Sequence, residues 1–491
     1  MKKLNFFLIL GYKWQDRRSF SVSVVLVTSL VFVLFIFGCA NIAAPTGGFR
    51  DTLPPVLLGA VPRDSFEHFT DKKIVFTFNE YVELNELQNN LLVSPTPKIN
   101  PIVESKLRTV TVRIKDTLEE NTTYSINFGN AIRDINEGNV IRDFTYIFST
   151  GDHIDNYELS GNVMLATTGK VDSTLIVMLH RKLDDSAVTK EKPRYVAKLD
   201  GKGNFRFKFL PAGTFALYAL KDEGSSRTFM SPKQLFAFAS KPVTIGPENA
   251  PQSLLAYLEK DTSKPKTSTT KLPAGLKEKD KAKDKEKDKP LHYQTNLQSG
   301  NQGLLGDFQI EFTTPLKSFD TTKISFLNDQ YKPFAGSVFT IDSTNKIITL
   351  KHRWVAATAY NVIIQKDAFL DTLGKTVQKP DTISFKTKKT EEYGSLRMRF
   401  RNLNFSDHPV LQFVQGDDVV FSYVFQSRPD FYYKLFEPGE YEVRLLLDAN
   451  QNGKWDTGEF FGKHIQPEKV VAIPQKVKVK TNWDNEIEVA L

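Results

Sequence analysis

The stretches FLPAGTFALYALKD at 209–222 and LFEPGEYEVRLLLD at 435–448 decide the fold of this chain. They align at a constant offset of 226 residues, so that Gly213 falls on Gly439. Both stretches place a proline and a glycine in a tight turn, after which apolar residues recur at alternate positions. This spacing is typical of half-buried β-strands, so the pair predicts two copies of one β unit.

A second pair of repeats lies upstream of the first pair, one copy in each half of the chain. The stretches NTTYSINFGNAIRDINEGNVIRDFTYIFSTG at 121–151 and ATAYNVIIQKDAFLDTLGKTVQKPDTISFKTK at 357–388 match Tyr124 with Tyr360, at an offset of 236. The order of units is therefore A, B, linker, A′, B′. Because each unit is about 100 residues long and its strands have a period of two, we interpret each unit as a β-sandwich and not as a solenoid repeat.

The first 39 residues have the plan of an export signal. Residues 2–18 are basic, residues 19–37 are apolar and uncharged, and Gly38 precedes Cys39, the single cysteine of the chain. This order is typical of a secretory signal peptide. Its ending is similar to the lipobox of bacterial lipoproteins, and that resemblance implies cleavage before Cys39 and attachment of a diacylglycerol and a fatty acid to its thiol.

Two alternatives to a cleaved lipoprotein signal stay open. The apolar run of about 19 residues is long enough to remain in the bilayer as an uncleaved helix. The Arg17-Arg18 pair also resembles a twin-arginine signal. All three interpretations export the rest of the chain, and the absence of further cysteines fits an exported protein that relies on hydrophobic cores instead of disulfides.

The residues after Cys39 bear on the membrane that an anchored protein would occupy. Acyl chains attach a protein to a membrane because each buried methylene contributes about 0.8 kcal/mol. The next residue is Ala40, not the aspartate that retains enterobacterial lipoproteins in the inner membrane, which indicates the outer membrane. Residues 40–44 contain no acidic cluster of the kind used for surface export in some Gram-negative phyla, so the periplasmic face is favoured over the cell surface.

Units A and B carry different turn and strand motifs. Unit A has Pro54-Pro55, the strand at 74–78 and the motif Asp134-x-Asn136-x-Gly138-Asn139. With these residues it resembles the bacterial Ig-like domain of surface-layer and envelope lipoproteins. Unit B, with DGKGNFRF at 200–207 and LPAGTF at 210–215, resembles transthyretin-like or carboxypeptidase-regulatory-like sandwiches. The two resemblances imply envelope placement and little chemistry.

The predicted fold is all-β, with Ig-like and transthyretin-like β-sandwiches alternating after the lipoprotein signal peptide. The predicted boundaries are the signal peptide 1–38, the lipidated tether 39–51, A 52–152, B 153–258, the charged disordered linker 259–293, A′ 294–390 and B′ 391–491.

The net charge of +8 does not indicate nucleic-acid binding. Residues 1–38 contribute +4 and residues 259–290, with 11 lysines against 7 acids, contribute another +4, so the rest of the chain is neutral. No folded unit therefore carries the basic footprint that phosphate binding needs. The linker alternates in sign and has no aromatic residue at 261–290, which predicts a solvated spacer, with contact to anionic lipid or wall polymer as the alternative.

One motif in unit B′ has the spacing of a metal-binding loop. DANQNGKWDTGE at 448–459 places side-chain oxygens at positions 1, 3, 5, 9 and 12 and a glycine at position 6, as in the calcium loop of EF-hands. A predicted strand precedes the loop, so it is either a calcium site on a β scaffold or an Asx-rich turn. The predicted calcium ligands are Asp448, Asn450, Asn452, the Lys454 carbonyl, Asp456 and Glu459.

The motifs of common enzymes are missing from the sequence. The seven histidines are scattered with no two at metal-ligand spacing, and the chain has no HExxH, GxSxG or phosphate-binding glycine loop. We therefore predict a protein without enzymatic activity. A hydrolase with a pair of acids is the enzymatic alternative, because composition does not exclude one.

We expect a lipid-anchored envelope protein that presents a rod of sandwiches, as a structural or interaction scaffold, to an envelope protein or polysaccharide. The alternative is a surface-exposed adhesin or glycan-binding lipoprotein. For that alternative the stretch PDFYY at 429–433 offers aromatic rings for sugar stacking. Alternation places Phe431 and Tyr433 on one face, which we interpret as core, and Tyr432 on the other.

Overall fold

The computed structural model of this chain describes residues 50–259, 291–334 and 338–491. Within these ranges almost every regular element is a β-strand, and the strands form paired sheets, so the prediction of an all-β chain of tandem β-sandwiches is confirmed. No helix in these ranges is long and apolar enough to cross a membrane. The predicted leader, Cys39 and most of the charged linker lie outside the described residues, so cleavage and acylation stay predictions.

Unit A is a sandwich whose core is rich in aromatic rings. Its elements are β1 (Leu57–Val61), β2 (Lys73–Phe78), β3 (Val82–Leu84), α1 (Leu87–Asn90), β4 (Leu92–Ser94), β5 (Ile102–Lys106), β6 (Thr109–Arg113), β7 (Thr123–Asn127), β8 (Ile132–Asp134) and β9 (Thr145–Ser149). One sheet has the order β1-β2-β6-β5, the other has the order β4-β7-β9, and β3 pairs with β8. Alternation buries Ile74, Phe76 and Phe78 on one face of β2.

Units B and B′ have one topology, as their sequence repeat predicts. The elements of B are β10 (Tyr157–Leu165), β11 (Leu175–His180), α2 (Ala187–Lys190), β12 (Tyr195–Lys198), β13 (Asn204–Leu210), β14 (Gly213–Lys221), β15 (Phe236–Phe238), β16 (Val243–Ile245) and β17 (Gln252–Ala256). In B, β10 pairs with β13 in the antiparallel sense and with β17 in the parallel sense, and β11 lies between β12 and β14 in the facing sheet.

Unit A′ repeats the arrangement of unit A strand by strand. Its elements are β18 (Tyr293–Thr295), β19 (Asn301–Gln302), β20 (Phe308–Phe312), β21 (Leu316–Phe319), a 3-10 turn (Thr321–Lys323), β22 (Ile324–Asn328), β23 (Phe339–Ile341), β24 (Ile347–Leu350), β25 (Ala359–Ile364), β26 (Phe369–Asp371) and β27 (Asp381–Thr387). The sheets are β18-β20-β24-β23 and β19-β27-β25-β22, with β21 paired to β26. The short parallel pair β19·β27 has its counterpart in A as the parallel bridge between Phe66 and Phe148.

The elements of B′ follow the plan of unit B, but the last two strands are longer in B′. They are a 3-10 turn (Thr390–Glu392), β28 (Gly394–Arg401), a 3-10 turn (Phe405–Asp407), β29 (Pro409–Gln415), β30 (Asp418–Val424), β31 (Asp430–Phe436), β32 (Gly439–Leu447), β33 (Lys469–Val479) and β34 (Asp484–Ala490). Here β28 pairs with β31 antiparallel and with β34 parallel, and the facing sheet has the order β30-β29-β32-β33.

The residues matched between A and A′ hold the same local structure. The Tyr124 hydroxyl accepts the Glu119 N–H at 2.8 Å, and the Tyr360 hydroxyl accepts the Val355 N–H at 3.3 Å, five residues upstream in both units. This is the arrangement of the tyrosine corner in Ig-type sandwiches. The repeat in sequence therefore reflects repeated hydrogen bonds at one corner of each sandwich.

Unit B′ packs against unit B, and the first contacts join residues about three hundred positions apart in the chain. The Val470 N–H donates to the Ala166 carbonyl at 3.0 Å, and the Lys170 ammonium lies 2.6 Å from the Glu442 carboxylate. Unit B therefore contacts A, through the ion pair between Arg194 and Glu119, and also contacts B′. The physical reason is an insertion between β32 and β33 whose apolar side chains are buried on the outer face of B.

Asp134 closes the turn after β8, and we expect Asp134→Ala to lower the free energy of unfolding by about 2–3 kcal/mol. Its buried carboxylate accepts the N–H groups of Glu137, Gly138 and Asn139 at 2.6–3.0 Å, and the alanine variant leaves these donors without a partner. Urea unfolding of the full chain at pH 7 measures the loss, with the exposed Asp71→Ala as control.

The same contacts give the effect of Asp134 a defined pH dependence. Burial raises the pKa of Asp134, but the surrounding backbone N–H groups outweigh burial and lower it. Because the folded pKa is depressed, the contribution is present above about pH 3.9, the usual value of an unfolded aspartate, and is lost as the pH falls through the folded pKa. A difference between the variant and the wild type that stays constant down to pH 2 would contradict this account.

Candidate functional site

The most distinctive segment of the chain is the insertion between β32 and β33, residues 448–468, which we call the B′ loop. Its first half contains the predicted calcium motif and is polar, whereas its second half carries Phe460 and Phe461. The equivalent turn of B, after Asp222, is built differently, since there the Asp222 carboxylate accepts the Arg227 N–H at 3.2 Å. The B′ loop is thus a feature of one copy of the duplicated unit.

Asp448 organises the polar half of the B′ loop. Its side chain is 1% exposed, and its carboxylate accepts the N–H groups of Asn452 at 3.2 Å and Gly453 at 2.6 Å. Gly453 has φ of +75°, a left-handed conformation that glycine adopts without a steric penalty. The Asx turn of this loop lies at Asn450, whose side-chain oxygen accepts the Asn452 N–H at 3.1 Å.

The other predicted ligands fall into two groups. The side-chain NH2 groups of Asn450 and Asn452 both donate to the Asp456 carboxylate, the first at 2.7 Å, so these three predicted ligands are neighbours. Glu459 has different partners. Its carboxylate accepts a hydrogen bond from the Lys463 ammonium at 2.8 Å, and its backbone forms a β-bridge with Ile465.

A glutamate that sequence reasoning missed occupies the place beside Asp456. The Glu468 carboxylate accepts the Asp456 N–H at 3.0 Å through one oxygen, while its other oxygen is buried without a hydrogen-bond partner. Burial raises the pKa of Glu468, and the nearby Asp448 carboxylate raises it further. The signal in the sequence was weak, because Glu468 lies outside the twelve-residue spacing that identified the motif.

The described part of the chain holds no group of three or more His, Cys, Asp or Glu side chains arranged for a metal ion. Calcium also takes amide and backbone carbonyl oxygens, so a loop of two aspartates, two asparagines and one carbonyl falls outside such a grouping. The calcium site therefore stays a prediction, with Glu468 as a further carboxylate in contact with the motif.

The apolar half of the B′ loop is buried on the outer face of the β12-β11-β14-β15 sheet of B. Phe460 is 1% exposed, with its ring centroid 4.9 Å from Phe238, 5.2 Å from Phe236 and 5.5 Å from Tyr218. Aromatic contacts of this kind add about 0.5–1.5 kcal/mol to the free energy of burial. The cluster joins two units that the sequence separates by a linker and a whole sandwich.

Hydrogen bonds around Phe460 fix the orientation of the B′ loop on B. The Thr457 hydroxyl donates to the Leu258 carbonyl at 2.6 Å, and the Gln466 amide donates to the Phe238 carbonyl at 3.0 Å. Gly458 lies against Tyr257, where a β-carbon would come within 2.8 Å of the ring, so only glycine fits this approach. The interface therefore combines an apolar centre with directional polar contacts, as stable protein interfaces do.

The aromatic strip at 429–433 has the alternation predicted from the sequence. Phe431 is fully buried and Tyr433 is half-buried in the B′ core, whereas Tyr432 is 53% exposed on the opposite face. The core interpretation is confirmed for Phe431. Next to Tyr432 the structure brings Trp483, which sequence reasoning missed and which is 61% exposed in the turn between β33 and β34.

Comparisons with known proteins identify the first unit. Residues 51–150 match the family described as Bacterial Ig-like domain. Unit A is similar to bacterial Ig-like domains. This confirms the resemblance carried by its strand and turn motifs, while the transthyretin-like resemblance of B and B′ stays an interpretation. A comparison with curated proteins finds no match.

Weak similarities extend to solved structures of bacterial proteins. Native alpha-2-macroglobulin from Escherichia coli, spanning domains MG0-NIE-MG1, is 14% identical over 38% of this chain and 70% of its own, with a TM-score of 0.18. The TIE protein of Bacillus anthracis is 10% identical over 91% and 75%, with a TM-score of 0.17. BcpA, the major pilin subunit of Bacillus cereus, is 9% identical over 69% and 99%, with a TM-score of 0.18. Similarities this weak carry no argument about function.

We expect Phe460→Ala to release the B′ loop from B, because deleting a buried phenylalanine ring costs about 3–5 kcal/mol. Hydrogen exchange of the full chain measures this, since the Val470 N–H bonded to Ala166 should lose protection. The control is Phe461→Ala, a neighbouring ring that is 38% exposed and should have a smaller effect. Equal protection of the Val470 N–H in the two variants would show that the Phe460 ring does not stabilise the interface between B′ and B.

Proposed function

We propose that this chain is a non-enzymatic scaffold of the bacterial cell envelope, anchored in the outer membrane by lipid on Cys39 and exposed to the periplasm. The observation that carries the proposal is the docking of the B′ loop on B, which turns four sandwiches into a body with fixed internal contacts. The Ig-like match of unit A supports an envelope role, because such domains commonly serve as structural or interaction modules.

The polar residues repeated by the duplication support a structural role. Asp134 and Asp371 are both buried, and each carboxylate accepts backbone N–H groups in the turn that follows. The Asp371 carboxylate also accepts the Thr314 hydroxyl at 2.7 Å. Carboxylates used in this way close turns and are not presented to a substrate, so the best-matched acids of the two halves serve the fold.

The length of the tether limits how far the scaffold stands from its anchor. Residues 40–50 separate Cys39 from unit A, and eleven residues span at most about 40 Å when fully extended. Unit A would therefore lie close to the membrane. The B′ loop would hold B′ beside B, which leaves the outer faces of A′ and B′ available to a partner.

Cys39→Ser tests the anchor. We expect the wild type to incorporate radiolabelled palmitate and to fractionate with the outer membrane, and the variant to lose the label, because serine lacks the thiol that accepts the lipid. Thr46→Ala, within the tether, is the control and should keep the label. A labelled Cys39→Ser protein would contradict lipidation at this residue.

Protease treatment of intact cells then separates the proposed periplasmic face from the surface adhesin. The lysine-rich linker at 259–293 supplies many cleavage sites for trypsin. Protection of the full-length band until the outer membrane is permeabilised supports the periplasmic scaffold. Cleavage in intact cells would instead support the surface-exposed alternative.

We also propose that the B′ loop binds calcium and is stiffened by it. Support comes from the buried Asp448 carboxylate and from the proximity of Asn450, Asn452 and Asp456, whose side chains each carry an oxygen of the kind calcium prefers. Because the same loop carries Phe460, a cation bound there would strengthen the contact between B′ and B.

The calcium proposal predicts that added calcium raises the melting temperature of the wild type. At a calcium concentration one hundred times the dissociation constant, the gain in the free energy of unfolding is about 2.7 kcal/mol. Asp448→Ala should abolish the rise. Comparing Glu459→Gln with Glu468→Gln shows which carboxylate completes the site, since Glu459 is ion-paired with Lys463 and Glu468 contacts Asp456. No rise in the wild type, with magnesium as the reference ion, would end the proposal.

A further inference from the structure

A shallow cleft of about 280 Å³ lies on unit B′, at the end of the β31-β28-β34 sheet. Tyr432 and Trp483 line it with 53% and 61% of their surfaces exposed. The other described tryptophans are far more buried, with Trp354 at 8% and Trp455 packed on Val470. Aromatic side chains carry a large apolar area, so two exposed rings in one cleft leave an unusual amount of that area in water.

Both rings are held in place by rigid elements and by cations. Arg397 lies directly across from Tyr432 in the β28–β31 pair, with its guanidinium 5.0 Å from the tyrosine ring centroid. The Lys480 ammonium lies 5.5 Å from the Trp483 ring, and the Trp483 carbonyl accepts the Ser395 N–H at 3.0 Å. Cations over ring faces are stabilising contacts, so the rings are positioned before any ligand arrives.

The rest of the cleft is lined mostly by polar side chains, several with free hydrogen-bonding capacity. Within the described residues the Lys434 ammonium and the Asn482 side-chain amide have no hydrogen bond or ion pair. Glu391 receives only the Thr390 hydroxyl at 2.9 Å among side-chain donors, and Asp484 receives the Ser395 hydroxyl. Donors and acceptors thus surround the two rings within one small cleft.

This combination distinguishes between classes of partner. The centre of a protein–protein interface is apolar and depleted of charge, whereas this cleft has two rings among charged and amide groups. A pyranose ring presents C–H groups on its face and hydroxyls around its edge, and the electron-rich face of an aromatic ring attracts those C–H groups. The cleft is slightly smaller than typical ligand pockets of about 300–1,000 Å³ and is open, so it suits a short segment of a longer sugar chain.

We propose that this cleft is a carbohydrate-binding site, in which Trp483 and Tyr432 stack on pyranose rings and Asn482, Lys434 and Glu391 bind their hydroxyl groups. The ligand class is a polysaccharide of pyranose sugars. The proposal names a partner for the scaffold and rests on the proposed function for its setting in the envelope. Sugar binding is measured on the purified protein, so its failure is distinguishable from a failure of lipid anchoring, which Cys39→Ser reports.

The experiment uses the full chain in detergent on an array of pyranose oligosaccharides that includes chitotetraose, cellotetraose and maltotetraose. We expect the wild type to bind at least one class, and Trp483→Ala and Tyr432→Ala each to weaken that binding about tenfold or more, which is about 1.4 kcal/mol. Tyr432→Phe keeps the ring and should retain binding. Unchanged urea unfolding of the variants shows that their folds are intact.

Tyr81→Ala provides a matched control in unit A. Tyr81 is 49% exposed and has the Arg108 guanidinium 5.5 Å from its ring, so it repeats the ring–cation pair outside the cleft. Binding should be unchanged in this variant. An array without any ligand for the wild type, or an equal loss in Tyr81→Ala, overturns the proposal. A blank array combined with capture of a periplasmic protein that depends on Trp483 also overturns it, in favour of a protein partner.

Discussion

The arrangement of this molecule depends on the burial of one ring, Phe460, in an aromatic cluster that belongs to a different sandwich. Fully burying a phenylalanine contributes about 1.5–3 kcal/mol, and the ring contacts with Phe236 and Phe238 add to that value. Together with the hydrogen bonds of Thr457, Gln466 and Val470 to B, this contact joins B′ directly to B, although A′ and a long charged linker separate the two units in the chain. With it, the second copy of the duplicated pair returns to the first, and the chain gains contacts that a linear string of domains would lack.

Duplication explains both what the two halves share and where they differ. The shared residues serve the sandwich itself, as Tyr124 and Tyr360 do at the strand corner. The two copies of the B unit differ in the B′ loop and in the cleft with Trp483, which belong to B′ alone. Loops carry function because a rigid scaffold positions them while tolerating their change.

The B′ loop combines two properties that are seldom found in one segment of twenty-one residues. Its polar half is held by hydrogen bonds to the carboxylates of Asp448 and Asp456. Its apolar half packs against unit B through Phe460 and Gly458. A change in the order of the polar half would therefore reach the interface through the backbone between Asp456 and Phe460. This coupling needs no long pathway, because only three residues separate Asp456 from Phe460.

The sequence by itself determined the β class, the duplication and the inward alternation of Phe431, because these follow from local periodicity and turn chemistry. Its motifs also indicated the resemblance of unit A to bacterial Ig-like domains. It also located the polar loop after β32, since the Asx spacing is contained within twelve residues. Only the tertiary structure decided that Glu468 lies beside Asp456, that Phe460 is buried in B and that Trp483 shares a cleft with Tyr432. Each of these pairs is far apart in the chain or lies outside any motif. Their proximity is set by how sandwiches pack, which depends on apolar surface matched across units and leaves no periodic signal in the sequence.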